Sequence, residues 1–320
     1  MYSRILVAVD GSGCSLRGAE MAMSLAKTFE CDIWAAHIYD TRLHSRRLHE
    51  MEPVLPEAYQ REETLTRVRE AHEDLIGEGF EALSRGYMEG LLARAKRSGL
   101  RVREIHREGR NYIQLLELAR EHGIELMILG AHGLADIRDG SLGSTALRVL
   151  RMAPCDVFLA QKTMPNGRIL VEIDGSPEAL QALKKSLDWA HCLHGSLALA
   201  SVYDPGFHAH VFKTMAGTLS PQRQAQVGLS KQQALHDQLI DEGLGKLYEG
   251  FLDKARKMCE DAGVPAETRL LRGKPYRALI EQAGALDGGG PYRGGTIRPS
   301  PGKQGADRIQ QRGGGEAFQM

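Results

Sequence analysis

Arg4-Ile-Leu-Val-Ala-Val-Asp-Gly-Ser12 recurs as Arg168-Ile-Leu-Val-Glu-Ile-Asp-Gly-Ser176, a displacement of 164 residues. Each copy reads as a short β-branched run closed by Asp-Gly-Ser, which is a buried strand followed by a turn. The same displacement carries Tyr39-Asp40 onto Tyr203-Asp204, Gly99 onto Gly263, Gly109 onto Gly273 and Tyr112 onto Tyr276. It also carries His72-Glu-Asp-Leu-Ile-Gly-Glu-Gly79 onto His236-Asp-Gln-Leu-Ile-Asp-Glu-Gly243. Chance matches do not keep one offset over a hundred residues, so a whole domain has been duplicated. A chain of 320 residues is long enough for two such cores. The boundary falls in 162–167, where Met164-Pro165-Asn166-Gly167 reads as a linker.

Outward from Ile5–Val9 in the first copy, Ala19–Phe29 carries Met21, Met23, Leu25 and Ala26 at helical spacing, and Ile33–Ile38 returns as a strand. Glu57–Ser98 is helical in composition, with Gly77, Gly79, Gly86 and Gly90 expected to break or bend it. The pattern then runs strand Arg101–Ile105, helix Tyr112–Glu121, strand Glu125–Leu129, a glycine-bearing loop, helix Thr145–Arg151 and strand Asp156–Ala160. Strands alternating with helices predict an α/β fold: an open parallel sheet with right-handed crossovers, covered on both faces.

Composition narrows the function. The chain has 41 basic and 41 acidic side chains, and no Lys/Arg block exceeds a pair, which removes the electrostatic basis for nucleic-acid or anionic-membrane binding. Apolar runs are strand-sized and short of a span or a signal core, so a cytoplasmic chain is expected. The odd set Cys14, Cys31, Cys155, Cys192 and Cys259 shows no C-x-x-C spacing, which indicates neither a disulfide framework nor a zinc cage. His191, Cys192 and His194 lie too close along the chain to converge on one metal.

The chemistry concentrates after the fourth strand, in Gly130-Ala-His-Gly133, nine residues, then Gly143-Ser144-Thr145 opening a helix. Open α/β sheets bind ligands beyond the carboxyl ends of their strands, and a helix N-terminus favours a phosphate. Gly130 and Gly133 let the backbone approach a ribose or phosphate, Gly143 can take a positive φ, and the Ser144 and Thr145 hydroxyls can bond phosphate oxygens. The alternative is a tight turn with Ser144 as an N-cap. A β-branched residue at Gly130 or Gly133 is expected to abolish nucleotide binding while leaving the fold largely intact.

This repeat resembles the universal stress protein family, whose nucleotide-binding members carry G-x-x-G, nine residues, then G and Ser or Thr. Gly130, Gly133, Gly143 and Ser144 match that spacing, and Ala153-Pro154-Cys155-Asp156-Val157 resembles the family's approach to its last strand. The resemblance spans 1–161 and returns over 167–287. It implies two tandem Rossmann-like domains of the adenine-nucleotide α-hydrolase type, the second truncated, and a stress-response regulator that binds ATP, with Mg²⁺ as a candidate companion. By the same resemblance Asp10 would bond the adenine, with Ala8, Val9 and Ile38 around the base, Leu129 near the ribose and Thr145 near the phosphates. It further implies self-association through the last strand of the first copy.

Several residues carry two readings. Asp10 before Gly11 is also an ordinary turn signal. His132 could donate to a phosphate or be a solvated loop residue, and Asp136 and Asp139 could hold Mg²⁺ or keep the loop soluble. His72 and His236 could line a second site or an inter-domain contact, or could mark a helix start. No base, nucleophile or acid pair accompanies the proposed phosphate site, so hydrolysis should be slow at most. Cleavage at the α-phosphate would want S-G-G-x-D-S after the first strand, which Asp10-Gly-Ser-Gly-Cys-Ser15 matches only in part. A Walker loop is missing. A dimerising scaffold that binds no nucleotide is the other alternative.

The repeat fails after Asp287. Residues 288–320 include ten glycines and almost no periodic apolar residue, which predicts a disordered tail and a second copy without its fourth strand, phosphate loop and last strand. Residues 289–320, back-translated with permitted codons and read one base later, can give A-D-L-I-V-V-G-R-Y-G-H-H-R-E-S-R-E-L-I-G-S-N. That is a strand, G-x-x-G, nine residues and G-S, where the displacement places them, which marks the tail as a candidate frameshift product. Sequencing the DNA across codons 280–320 tests this. With that strand absent, the edge at Asp156–Ala160 is expected to be unpaired and to drive association.

Overall fold

The computed structural model describes residues 2–134, 142–161, 167–286 and 296–298. They divide into two compact units, one holding the described residues up to 161 together with 296–298, the other holding 167–286. The first runs β1 (Arg4–Ala8), α1 (Gly13–Phe29), β2 (Asp32–Tyr39), α2 (Arg42–Met51), two 3-10 turns and α3 (Glu62–Arg97). It continues with β3 (Val102–Glu108), α4 (Asn111–Glu121), β4 (Leu126–Gly130), α5 (Ser144–Met152) and β5 (Asp156–Ala160). The second runs β6 (Arg168–Glu172), α6 (Pro177–Leu193), β7 (Ser196–Tyr203), α7 (Pro205–Gly217), α8 (Pro221–Gln226), α9 (Leu229–Asp261), β8 (Ala266–Arg272) and α10 (Pro275–Leu286). A final strand, β9 (Thr296–Arg298), returns to the first unit.

The first sheet has the order β3-β2-β1-β4-β5-β9, with the first five strands parallel. Burial on both faces explains why β1 is a continuous apolar run: Ile5, Leu6 and Val7 are wholly buried. Alternation along the strands sends Leu6, Trp34, Ala36, Ile38, Met127 and Leu129 to the face covered by α4 and α5. The other face meets α1, where a Cβ on Gly18 would stand 3.1 Å from the Ile128 side chain, and α3. Each fully buried Ile, Leu or Val contributes about 1.5–3 kcal/mol.

The displacement of 164 residues holds in three dimensions. It superposes the bounds of β1 on β6, α1 on α6, β2 on β7 and β3 on β8. It also superposes two non-glycine left-handed caps, Glu30 (φ 53°) and His194 (φ 48°). The second unit is a three-stranded parallel sheet, β6-β7-β8, over its own apolar cluster. No helix among the described residues is long and apolar enough to cross a membrane.

Three expectations need correction. The glycines of the long helical stretch do not break it, because α3 is one helix of 36 residues. Among the described residues a Cβ at Gly77, Gly79, Gly86 or Gly90 would meet nothing within 4 Å, and Gly79, Gly86 and Gly90 are exposed. Their cost of about 0.8–1 kcal/mol apiece relative to alanine is opposed by burial of Leu65, Met88, Leu91 and Ala95 along the helix. His72 and His236 sit within α3 and α9, not at helix starts; His72 Nδ1 is buried without a hydrogen-bond partner, and the His236 side chain lies outside the described residues. The edge of β5 is not bare: β9 pairs with it antiparallel, placing Ile297 opposite Phe158. The rest of 288–320 lies outside the described residues.

Candidate functional site

The turn after β1 is built first. Ser12 caps α1, its hydroxyl accepting the Ser15 N–H at 3.1 Å, and the Asp10 carboxylate accepts the Ser12 N–H at 2.9 Å. Asp10 is therefore the turn residue that Asp-Gly suggests. Its second oxygen is turned elsewhere: a Cβ on Gly133 would stand 3.0 Å from Asp10 Oδ2. The turn after β1 and the glycine loop after β4 thus meet at the carboxyl edge of the sheet, where β1 and β4 are hydrogen-bonded neighbours. Ser12 adds a second link, its hydroxyl donating to the His132 carbonyl at 3.3 Å.

The three glycines have different constraints. A Cβ at Gly130 would meet the His132 carbonyl oxygen at 2.9 Å and the Ser15 nitrogen and Cys14 Cβ at 3.0 Å, so backbone excludes it. Among the described residues, Gly133 faces only the end of the Asp10 side chain. A β-branched residue at Gly130 would strain the fold itself, which corrects the expectation that either glycine could be replaced with the fold intact. Gly143 has φ −60°, extended rather than left-handed as expected, and its N–H donates to the Ala131 carbonyl at 2.8 Å. A Cβ there would approach Ala131, His132 and Gly133.

That closure draws the N-terminus of α5 onto the loop. Gly143 is the cap and has no side chain to satisfy the first-turn N–H groups, so Ser144 is the first helical residue and not the N-cap. Thr145 follows, half-buried. Free N–H groups at a helix start favour an anion by about 0.3–2 kcal/mol. His132 Nδ1 is buried and has no hydrogen-bond partner among the described residues, so it is not a solvated loop atom.

Ala8, Ile38 and Leu129 share one apolar cluster on the α4/α5 face, whereas Val9, although buried, is not part of it and bonds Ala36 through its backbone. Asp136 and Asp139 lie outside the described residues. Cys155 is inert: burial, and then the Asp156 carboxylate, push its thiol up to about 12. Among the described residues no group of three or more His, Cys, Asp or Glu is placed to hold a metal ion.

One contributor is not evident from the motif. The Tyr87 ring from α3 lies against Gly11, which has φ 77°, and a Cβ there would overlap it. In the second unit Phe251 covers Gly175 (φ 81°) in the same way. An aromatic at positions 87 and 251 follows the displacement of 164, a signal present in the sequence. The helical insertion is thereby part of the turn's support.

Comparison with known proteins places the arrangement. The model of the Universal stress protein family matches residues 1–161. A universal stress protein of Bacillus subtilis is 23% identical over 161 residues, covering 50% of this chain and all of that protein. One from Methanocaldococcus jannaschii is 26% identical over 162 residues, covering 51% of this chain and 84% of its own. The solved universal stress protein of Archaeoglobus fulgidus has a similar fold, with TM-score 0.51 and 14% identity over 90% of this chain and 85% of that one. Solved universal stress proteins that align with half of this chain include one in complex with cAMP, 23% identical over 51% of this chain and 98% of that one at TM-score 0.33, and one from Arabidopsis thaliana with AMP bound, 12% identical over 50% and 92% at TM-score 0.32. With the family model covering half its length, the chain belongs to the universal stress protein family.

Proposed function

We propose that the first copy binds an adenine nucleotide, ATP foremost, and acts as a regulatory module whose occupancy alters self-association or partner choice. The observation that carries this is the approach of the Asp10 carboxylate to Gly133, beside an α5 N-terminus held on the same loop by the Gly143–Ala131 hydrogen bond. The two halves offer complementary chemistry: a carboxylate acceptor for an exocyclic amine at one end, and unsatisfied N–H groups with two hydroxyls for phosphate at the other. The glycines form a cradle a side chain would fill, and the buried His132 Nδ1 lacks a partner. Of Ala8, Ile38 and Leu129, the last two are buried in the apolar cluster and Ala8 is the one left partly exposed for a base to pack on. The residues fit a bound nucleotide.

Turnover is expected to be slow, because among the described residues no hydroxyl or thiol at the cradle is hydrogen-bonded to a general base that would activate it. The second copy keeps Asp174-Gly175-Ser176, but its described sheet stops at β6-β7-β8 and supplies no glycine loop. We therefore assign one site per chain. Calorimetric titration of the full chain with ATP, with AMP and cAMP as competitors, tests the reading. Saturable ATP binding lost in Asp10→Ala supports it; equal affinity in wild type and Asp10→Ala refutes the site.

A further inference from the structure

Beneath α3, on the face of the sheet away from α4 and α5, lies a chain of polar groups that the nucleotide cradle does not use. Ser84, wholly buried, bridges two imidazoles: its Oγ is 2.7 Å from His37 Nδ1 and 2.5 Å from His106 Nδ1. His37 and His106 are directly paired across β2 and β3. His106 Nε2 in turn faces Glu104 Oε1 at 2.7 Å. At its inner end the His37 ring meets the Tyr87 ring edge-on, with centroids 5.2 Å apart at 83°. Tyr87 is the ring that covers Gly11. A contiguous path therefore runs from the half-exposed His106–Glu104 pair to the turn that carries Asp10.

A serine hydroxyl has one proton, so it donates to only one of the two Nδ1 atoms and accepts from the other. With Glu104 ionised, neutral His106 donates from Nε2 to the carboxylate and leaves Nδ1 as an acceptor. Ser84 then donates to His106, and His37 donates from Nδ1 to Ser84. When the array takes up one proton, His106 carries hydrogens on both nitrogens and donates to Ser84. The Ser84 hydroxyl must reverse and donate to His37 Nδ1. His37 gives up its Nδ1 proton and holds one on Nε2 instead. The balance is one proton gained from solvent, with one tautomer and one hydroxyl direction inverted.

We infer that the His37–Ser84–His106 array is a proton-sensitive positioning device for the Asp10–Gly11 turn, and that acid weakens nucleotide binding through it. The groups facing His37 set the direction. His106 on β3 opposes a charge on His37, Asp10 beyond β1 favours one, and α3 presents the neutral Ser84 and Tyr87. Burial keeps His37 itself from charging, so it answers acidification by changing tautomer, its Nε2 passing from acceptor to donor. The change at His37 passes through the Tyr87 ring, which meets His37 edge-on and covers Gly11, to the turn that holds Asp10 against Gly133. The second copy lacks the device: positions 201, 248 and 270 are Ser201, Tyr248 and Leu270. The array thus accompanies the copy with the glycine loop. The affinity arm rests on the nucleotide reading above; the structural arm does not.

Imidazole nitrogen NMR on the ligand-free full chain between pH 5.5 and 8 reads the His37 tautomer, and the Gly11 amide shift reads the turn. The expected result is a change of His37 from Nδ1–H to Nε2–H on acidification, with Gly11 moving at the same midpoint, both absent in folded His106→Gln. ATP affinity should fall at least threefold from pH 7.5 to 5.5 beyond any change seen in His106→Gln, which cancels titration of the ligand. Ser84→Thr, which keeps the hydroxyl, should retain the response, whereas Ser84→Ala should lose it. A fixed His37 tautomer, or a Gly11 shift unchanged by His106→Gln, overturns the inference. No ATP binding at any pH, with the tautomer and Gly11 responses intact, overturns the nucleotide reading and leaves the positioning device standing. ATP binding with the same pH profile in wild type and His106→Gln overturns the device and leaves the nucleotide reading standing.

Discussion

Gly133→Ala separates a binding role for the loop from a folding one. The added Cβ would stand 3.0 Å from Asp10 Oδ2 and meet nothing else within 4 Å among the described residues, so the carboxylate must retreat by a few tenths of an ångström. The backbone tolerates the change, because φ at Gly133 lies outside the left-handed region. Replacing glycine at such a site stabilises by about 0.4–1 kcal/mol through the unfolded chain, and the close contact offsets part of that. Net stability should therefore change by no more than about 1 kcal/mol. Binding should change far more. A hydrogen bond to a charged group is worth about 1.5–3 kcal/mol, so losing the Asp10 contact weakens ATP by about 10- to 150-fold. Calorimetry with ATP, paired with a urea unfolding curve, reads both quantities. Wild-type ATP affinity in Gly133→Ala, or an unfolding midpoint displaced as far as the binding energy, would refute the reasoning.

Gly130→Val should behave in the opposite sense, losing about 1–3 kcal/mol of stability from overpacking, because its Cβ meets backbone at 2.9 and 3.0 Å; an unchanged urea midpoint contradicts this. Ending the chain at residue 287 removes β9 and bares the β5 edge, so light scattering should find more self-association than in the full chain; equal masses contradict it. His37 is held below the ordinary histidine range, by burial first and His106 next, so the folded state resists protonation that the unfolded chain accepts. Stability present above the unfolded pKa of about 6.5 is then lost as pH falls below it, and the melting temperature of the first unit should drop between pH 7.5 and 5.5 less in His37→Gln than in wild type.

Much of this was legible because one offset organises the sequence. The repeat showed which segments correspond, since β1 and β6, β2 and β7, β3 and β8 coincide under it, and apolar runs such as Ile5–Val7 have the form of strands buried on both faces, although β3 runs on to Glu108 where a strand ending at Ile105 was expected. The glycine loop was legible for a similar reason, since G-x-x-G with its nine-residue interval is local in the chain. What could not be read was set by tertiary contact. The glycines of α3 looked like breaks because propensity acts locally, while the opposing term is burial of Met88 and Leu91 against the sheet. Ser84, His37 and His106 stand far apart in sequence and carry no common pattern, so only the pairing of β2 with β3 under α3 brings them together. The strand β9 was hidden among glycines, because three residues are too few to show a period.

Native mass spectrometry of the full chain with ATP tests the central claim most directly, since it counts occupants. One nucleotide per chain, held by the first copy, is expected in the wild type and none in Asp10→Ala. Two nucleotides per chain, or none at saturating ATP, would contradict it.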